Sequence, residues 1–329
     1  MTQVTIIGLG LIGSSIGMAI RAARKKVKVV GFDHNSNVQN RAKKIGAVDD
    51  VEWRLDKAVE DANLVVLAVP VLEISTLLDN VVQWLKPGTT VTDTATTKAQ
   101  VMAWAAEKMP PEIGFIGGNP LAGGGMTGQD AAHPDMFMGV SYPLMPSPRA
   151  PEHCVKAVVE FVELIGANPR FVDVAEHDSY VAAVSNGPVL MSSALVLSAA
   201  KSPAWAEISK FASTEFGDLS RLAGMDPETT HGICKTNRDM MLHWLDVYMS
   251  ELTGLREALT SLNDSDDDET LKPLLTRAHE HRLRWSAGVS PETEMPKEEA
   301  ITVTESLGQM FLGGGVMGRI RGNRGHKNE

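Results

Sequence analysis

Cysteine and positive charge are both scarce in this sequence. The two cysteines among 329 residues, Cys154 and Cys234, fall in different predicted domains, so we expect no disulfide and no cysteine metal site. Lysine and arginine number 31 against 41 aspartates and glutamates, for a net charge of −10. Nucleic acids and anionic membranes both require a basic surface, so neither is an expected partner. An acidic substrate would therefore need individually placed cationic side chains.

The sequence also lacks a clean membrane-spanning run and a leader segment. Its longest apolar stretch, 181–200, is interrupted by Ser-Asn-Gly-Pro at 185–188, and we predict a buried helix in a helical core or dimer interface. The chain enters a predicted strand within its first few residues, without a charged leader. We expect a cytoplasmic protein.

Apolar strands alternate with helical patterns over the first half of the chain, which is typical of a parallel sheet covered on both faces. The predicted strands are 4–7, 27–32, 64–69, 91–93 and 114–117, with helices at 14–24, 38–45, 72–85 and 98–107. Later patterns are helical only, at 176–201, 203–223, 227–262 and 269–287. We predict an α/β Rossmann domain with a mostly parallel sheet (1–172), an all-α substrate and dimerisation domain (173–289), and a C-terminal segment with a short helix and basic tail (290–329).

A glycine pattern typical of dinucleotide binding follows the first strand. Gly8 permits a tight turn, Gly10 lets a pyrophosphate approach the backbone, and Gly13 allows close helix packing. The helix N-terminus then faces the phosphate charge, through the backbone of Gly10, Leu11, Ile12 and Gly13. Asp33 ends the second strand, where a carboxylate accepts hydrogen bonds from the adenosine ribose and repels a 2′-phosphate. The sequence therefore predicts NAD⁺ as the cofactor, rather than NADP⁺, and no metal.

Five further segments, in their order and spacing, resemble the prephenate and arogenate dehydrogenases, which oxidatively decarboxylate a cyclohexadienol during tyrosine synthesis. The segments are 65–70, 93–98, 117–123, 176–188 and 219–227. The resemblance implies a homodimer formed by the helical domain and a small carboxylate substrate. It also implies that Val69, Pro70 and Thr96 contact NAD⁺.

The resemblance assigns catalytic roles to four positions. Thr96 stands where the family has a serine that assists nicotinamide and substrate, although a helix N-cap is an alternative role. Arg221 matches an arginine that grips a substrate carboxylate, with a surface salt bridge as the alternative. Asn119 and Asn186 stand where the family has histidines, the first of them catalytic.

Asn119 is the main departure from the family pattern. An amide can orient a hydroxyl but is not a base near pH 7, and a positioned base contributes roughly 10²–10⁴-fold in rate. For His133, His177 and His231 we favour surface or packing roles, so we expect low activity on prephenate unless another proton path exists. A dehydrogenase for a different hydroxy or amino acid, and a non-catalytic dinucleotide-binding protein, remain alternatives.

Overall fold

The computed structural model describes residues 2–23, 25–124, 128–262 and 270–289. The chain divides into two compact units, 1–249 and 250–329. Eight strands in the first unit form one sheet: β1 Thr2–Ile7, β2 Val27–Phe32, β3 Asp50–Val51, β4 Leu64–Leu67, β5 Thr90–Asp93, β6 Gly114–Gly118, β7 Ser141–Pro146 and β8 Asn168–Phe171. Their order across the sheet is β3-β2-β1-β4-β5-β6-β7-β8.

Six helices connect these strands or cover the sheet: α1 Leu11–Ala22, α2 Ser36–Lys44, α3 Leu55–Val59, α4 Val71–Val81, α5 Ala99–Lys108 and α6 Glu152–Leu164. Two apolar clusters make the core, one including residues of α1 and α6 and the other residues of α4 and α5. Strand β4 is buried at all four residues, which explains why its sequence is apolar without alternation.

All neighbouring strands are parallel except β6 and β7, which pair antiparallel. The predicted α/β fold with a mostly parallel sheet is therefore confirmed. Strand order reverses between β1 and β4, and in sheets of this kind ligands bind in the crevice outside the strand ends at such a point. The Gly8 turn leaves β1 at this edge, next to the residues that follow β4.

The sequence prediction missed three strands, β3, β7 and β8, and two helices, α3 and α6. Strand β7 contains Pro143 and Pro146, and a proline within a run lowers the expectation of a strand. Strand β8 contains Pro169 and is exposed along most of its length, so it shows no apolar pattern. Strand β3 has two residues, too few to show the alternation of apolar and polar residues that indicates a strand.

Helices α7 Val174–Val181 and α8 Gly187–Ala200 flank a π-helical turn at Ala182–Asn186, close to the predicted helix 176–201. The predicted helix 203–223 is wrong, because the chain forms α9 Trp205–Ile208 and α10 Thr214–Ser220 separated by extended backbone at Ala212 and Ser213. The predicted helix 227–262 is two helices, α11 Pro227–Thr236 and α12 Arg238–Thr260.

The break between α11 and α12 lies at Asn237. Its backbone is not helical (φ −132°, ψ 36°), although its amide still donates to the Ile233 carbonyl at 3.1 Å and its carbonyl accepts from the Met241 amide at 3.0 Å. The side-chain amide of Asn237 donates to the backbone carbonyl of Asp178 at 2.8 Å, which ties this buried residue to α7. Helical propensity is a local property and does not predict such a contact.

The second unit contains the end of α12 and helix α13 Leu271–Ser286, in which the Arg282 guanidinium lies 4.8 Å from the centre of the Trp285 ring. The predicted C-terminal segment 290–329, with its short helix and basic tail, lies outside the described residues. Every strand in the described ranges precedes residue 172, although a domain boundary there stays a prediction.

One helical run in the described part of the chain, Val174–Ala200, is long and apolar enough to cross a membrane by length and composition. The π-helical turn divides it, and buried polar side chains such as His177 and Asn186 lie along it. The core helix of a soluble protein passes the same test, so length and apolar composition alone are weak evidence for a membrane span.

Candidate functional site at the carboxyl ends of the strands

Two of the three fingerprint glycines are required by close backbone contacts. Gly8 has φ +91°, and a Cβ there would lie 2.3 Å from the Ala68 carbonyl oxygen. A Cβ on Gly13 would lie 1.9 Å from the carbonyl oxygen of Gly8. Any larger residue would therefore push α1 away from the strand edge. Both positions behave as the fingerprint predicts.

Gly10 differs, because a Cβ there meets no atom within 4 Å. The open space at Gly10 adjoins the start of α1, which begins at Leu11 without a side-chain cap. The first-turn N–H groups of an uncapped helix are available to an anion. The predicted backbone contacts of Leu11, Ile12 and Gly13 with a pyrophosphate are compatible with this geometry and stay predictions.

Asp33 fixes the turn against the end of β2. One carboxylate oxygen accepts from the Leu9 amide and the other from the Asn35 amide, both at 2.9 Å. The side chain is about one-tenth exposed, so it lies at the wall of the site rather than in open solvent. Each carboxylate oxygen has a second acceptor position, which leaves room for the ribose hydroxyls that the sequence predicts.

A cavity of about 640 Å³ opens beside this turn, within the usual size of a ligand pocket. Five of the predicted cofactor residues line it: Gly8, Gly10, Asp33, Val69 and Pro70. Apolar side chains form much of the remaining wall. They are Phe32 at the end of β2, Leu55 on α3, and Leu72 and Leu77 on α4. Glycine backbone for a pyrophosphate, a carboxylate for ribose and an apolar slot for an adenine ring fit a dinucleotide.

The next strand edge holds a buried ion pair. Asp93 ends β5 and pairs with the Lys98 ammonium, and both side chains are inaccessible to solvent. Burial lowers the pKa of Lys98, and the Asp93 charge opposes that change. Asp93 also accepts from the amides of Ala95 (2.9 Å) and Gly118 (3.2 Å), so it fastens the 93–98 turn to the end of β6.

Thr96 lies in that turn and is half-buried. The alternative role as an N-cap is wrong, because α5 begins at Ala99 and its first amides are bound by another group. The Asp178 carboxylate accepts from the backbone amides of Lys98 at 2.7 Å and Ala99 at 2.8 Å. The Thr96 hydroxyl is not engaged as the helix cap, and its predicted contact with nicotinamide and substrate stays a prediction.

Asn119 directly follows β6 and is 3% exposed. Its Nδ2 atom lies 3.0 Å from Nε2 of His177, and Nδ1 of His177 lies 2.9 Å from an Asp178 oxygen. These three side chains form a buried hydrogen-bonded row. From the sequence alone a surface or packing role is favoured for His177, whereas the structure places it in this row. The adjacent His-Asp pair is the one sequence signal that could have indicated it.

Asn186 ends the π-helical turn and is 4% exposed. Within the described residues its Nδ2 has no hydrogen-bond partner. An unpaired buried donor is costly, and π-helical turns are frequent at functional sites. The predicted role of Asn186 at the site is compatible with a ligand oxygen supplying that partner.

Arg221 begins a 3₁₀ turn, and its guanidinium donates to the Gly124 carbonyl oxygen at 2.6 Å. This backbone contact stands in place of the surface salt bridge considered as its alternative. A Cβ on neighbouring Gly123 would lie 3.5 Å from Ile12, so this loop borders the dinucleotide turn. Arg221 thereby meets a segment beside the predicted cofactor. His133 and His231 are exposed, in agreement with surface roles.

Comparison with known proteins identifies the family. The prephenate dehydrogenase nucleotide-binding domain matches residues 16–170, and the prephenate dehydrogenase dimerization domain matches 173–276. The prephenate dehydrogenase of Bacillus subtilis is 27% identical over 283 residues, which cover 85% of this chain and 75% of that protein. The cyclohexadienyl dehydrogenase of Zymomonas mobilis is 28% identical over 261 residues, 79% of this chain and 89% of that protein.

Solved structures are similar along most of the chain. Arogenate dehydrogenase of Synechocystis superposes with a TM-score of 0.72 at 26% identity, covering 86% of this chain and 100% of that one. Prephenate dehydrogenase of Aquifex aeolicus, solved with hydroxyphenyl propionate and NAD⁺, has the same fold, with a TM-score of 0.79 at 24% identity over 87% of this chain and 98% of that one. With both of its domains matched in order, the chain belongs to the prephenate dehydrogenase family.

Proposed function

We propose that this protein is an NAD⁺-dependent dehydrogenase that oxidatively decarboxylates a cyclohexadienyl carboxylate, prephenate or arogenate, in tyrosine synthesis. One observation carries the proposal. The glycine turn with Asp33, and the buried Asn119, lie at the carboxyl ends of strands in one sheet, where a cofactor and the group it oxidises can meet. The named activities of the relatives support the same reaction class.

The predicted cofactor residues bind different parts of NAD⁺. Gly8, Gly10 and Gly13 shape the pyrophosphate turn, and Asp33 accepts from the adenosine ribose. Val69 and Pro70 line the cavity wall after β4. Bound NAD⁺ supplies a hydride acceptor. The half-buried Thr96 follows the neighbouring strand, and its hydroxyl serves the nicotinamide end and the substrate.

The stoichiometry explains how Asn119 can serve in place of a base. The substrate ring loses its carboxylate as carbon dioxide and one carbon-bound hydrogen as hydride, and it becomes a phenol. The phenol oxygen carries one hydrogen, as the ring hydroxyl did, so no proton has to leave overall. An acceptor that holds the hydroxyl is then sufficient for turnover. The rate is lower than with imidazole, because an amide oxygen stabilises developing positive charge less well.

The substrate carboxylates require cations, and the acidic chain places Arg221 beside the glycine loop. A guanidinium has five N–H donors, so the hydrogen bond to Gly124 leaves a fork for a carboxylate. Asn186 supplies a buried donor to an oxygen of the bound ligand. Both residues act by binding and orientation, and neither moves a proton.

We further propose a cytoplasmic homodimer formed through the helical domain, mainly by α8 and the α11–α12 region. The matched dimerization domain supports it. Large apolar side chains in the helical part of this chain are well exposed, among them Leu197 (59%) and Leu219 (67%). Apolar side chains exposed in one protomer can be buried between the helical domains of two protomers.

The test is NADH formation with prephenate and with arogenate, with a saturated cyclic hydroxy acid as the negative control. We expect turnover of at least one cyclohexadienyl acid, and tighter binding of NAD⁺ than of NADP⁺ in calorimetry. If only the saturated acid were oxidised, the substrate would be a saturated hydroxy acid and not a cyclohexadienyl acid. NAD⁺ binding without turnover of any acid would contradict the enzymatic proposal and leave the cofactor assignment standing.

A further inference from the structure

We propose that His177 is a positioning residue that sets the direction of the Asn119 amide, so that the carbonyl oxygen of Asn119 faces the site as the acceptor for the substrate hydroxyl. The inference rests on the proposed function for its substrate. Its geometric part concerns three side chains, Asn119, His177 and Asp178. It explains how a chain that has lost the family histidine at 119 retains a defined hydrogen-bond polarity there.

The orientation of the Asn119 amide follows from the hydrogen bonds that Asp178 accepts at the other end of the row. The Asp178 carboxylate accepts the Lys98 and Ala99 amides at the first turn of α5. A carboxylate at a helix N-terminus is stabilised as the anion, because the helix dipole and the free amides favour negative charge there. Ionised Asp178 has acceptors only. The Nδ1 atom of His177, 2.9 Å away, must therefore carry the hydrogen.

The second step follows from the chemistry of imidazole. A neutral ring with hydrogen on Nδ1 has a bare lone pair on Nε2. Asn119 lies 3.0 Å from that lone pair, so it must present its NH₂ group to His177. The carbonyl oxygen of Asn119 then points the other way. Within the described chain, no hydrogen bond to that oxygen is present, so it is left for a ligand.

The experiment compares His177→Phe, which neither donates nor accepts, with His177→Gln, which can accept from Asn119. We expect His177→Phe to lower kcat by roughly 10- to 100-fold. This is the range typical of removing the hydrogen-bond partner that orients a metal-binding side chain. We expect KM and the affinity for NAD⁺ to change little. His177→Gln should recover part of kcat, because its side-chain oxygen can accept from the Asn119 amide.

A double-variant cycle separates positioning from simple loss of stability. If His177 acts through the amide, His177→Phe costs no further activity in an Asn119→Ala background. Thr89→Val is the matched control, since it removes a buried hydrogen bond to the Ala62 carbonyl (3.3 Å) just before β5, at the opposite end of that strand from Asp93. The control should lower Tm while kcat stays unchanged. An additive loss in the double variant, or an unchanged kcat in His177→Phe, overturns the inference.

The ring nitrogens of His177 give a readout that needs no turnover. Nitrogen NMR of labelled protein at neutral pH should show hydrogen on Nδ1 and a bare Nε2. Hydrogen on Nε2 instead would overturn the inference whether or not the enzyme is active. Failure of prephenate and arogenate turnover with the expected nitrogen pattern would instead reject the proposed function alone.

Discussion

The cofactor edge and the reacting edge of this site are built by different means. At the cofactor edge, backbone geometry defines the site, through Gly8 and Gly13 and through amides held by Asp33. At the reacting edge, buried side chains define it, in the row from Asn119 to Asp178 and the ion pair beneath it. A backbone-built site changes little without losing the fold. A side-chain row can exchange one member without a change in the backbone.

Removal of the ion pair beneath the reacting edge should have the largest effect. Lys98→Met leaves the Asp93 carboxylate buried without its cation, and breaking a buried pair costs about 3–5 kcal/mol of unfolding free energy. Lys108→Met removes the more exposed Lys108–Asp79 pair and should cost ~1 kcal/mol or less. Urea denaturation of both variants measures the difference. Equal losses would show that the Lys98 pair is not structurally special.

The cofactor edge is tested by two alanine substitutions with opposite steric settings. Gly13→Ala places a Cβ against the Gly8 carbonyl, so we expect about 1–3 kcal/mol of lost stability together with weaker NAD⁺ binding. Gly10→Ala meets no protein atom and should leave Tm unchanged, yet weaken NAD⁺ by roughly tenfold through contact with the pyrophosphate. Calorimetry and thermal melts separate the two. If Gly10→Ala bound NAD⁺ as tightly as the wild type, the pyrophosphate would not lie against Gly10.

Asn119→His places an imidazole at the reacting edge. We expect kcat to rise by roughly 10-fold, less than the full contribution of a general base, because the product keeps its hydroxyl hydrogen. Steady-state NADH formation with the better of the two cyclohexadienyl acids measures it. A faster wild type than Asn119→His would show that the amide is the adapted group rather than a handicap.

Arg221→Lys keeps the charge and removes the guanidinium fork, so its effect should be the smallest. We expect KM to rise roughly fivefold with kcat nearly unchanged, since a lysine cannot make the bidentate contact. Lys210→Met removes an exposed cation nearby in sequence, paired with Glu207, and serves as the control. An unchanged KM in Arg221→Lys would mean that the substrate carboxylate is bound by another group.

The two edges also differ in how far the sequence predicts them. The glycine turn and Asp33 can be located from spacing alone, because backbone requirements restrict the residue type. The pairing of Asn119 with His177 joins positions 58 residues apart, and no local pattern encodes it. The same limit applies to the hydrogen bond between Asn237 and Asp178, 59 residues apart. Strand β7 was missed for a local reason, because it contains two prolines.

Asp178 joins three segments at one residue. Its carboxylate caps α5 and holds the His177 ring, and its backbone carbonyl accepts from Asn237. Detachment of α7 would therefore expose the start of α5 and release the row behind Asn119 in a single event. The Lys98 and Ala99 amides are protected by the same carboxylate, so their rates of hydrogen–deuterium exchange should report how often the reacting edge disassembles. Slow exchange at those two amides would identify an active site as durable as the global fold.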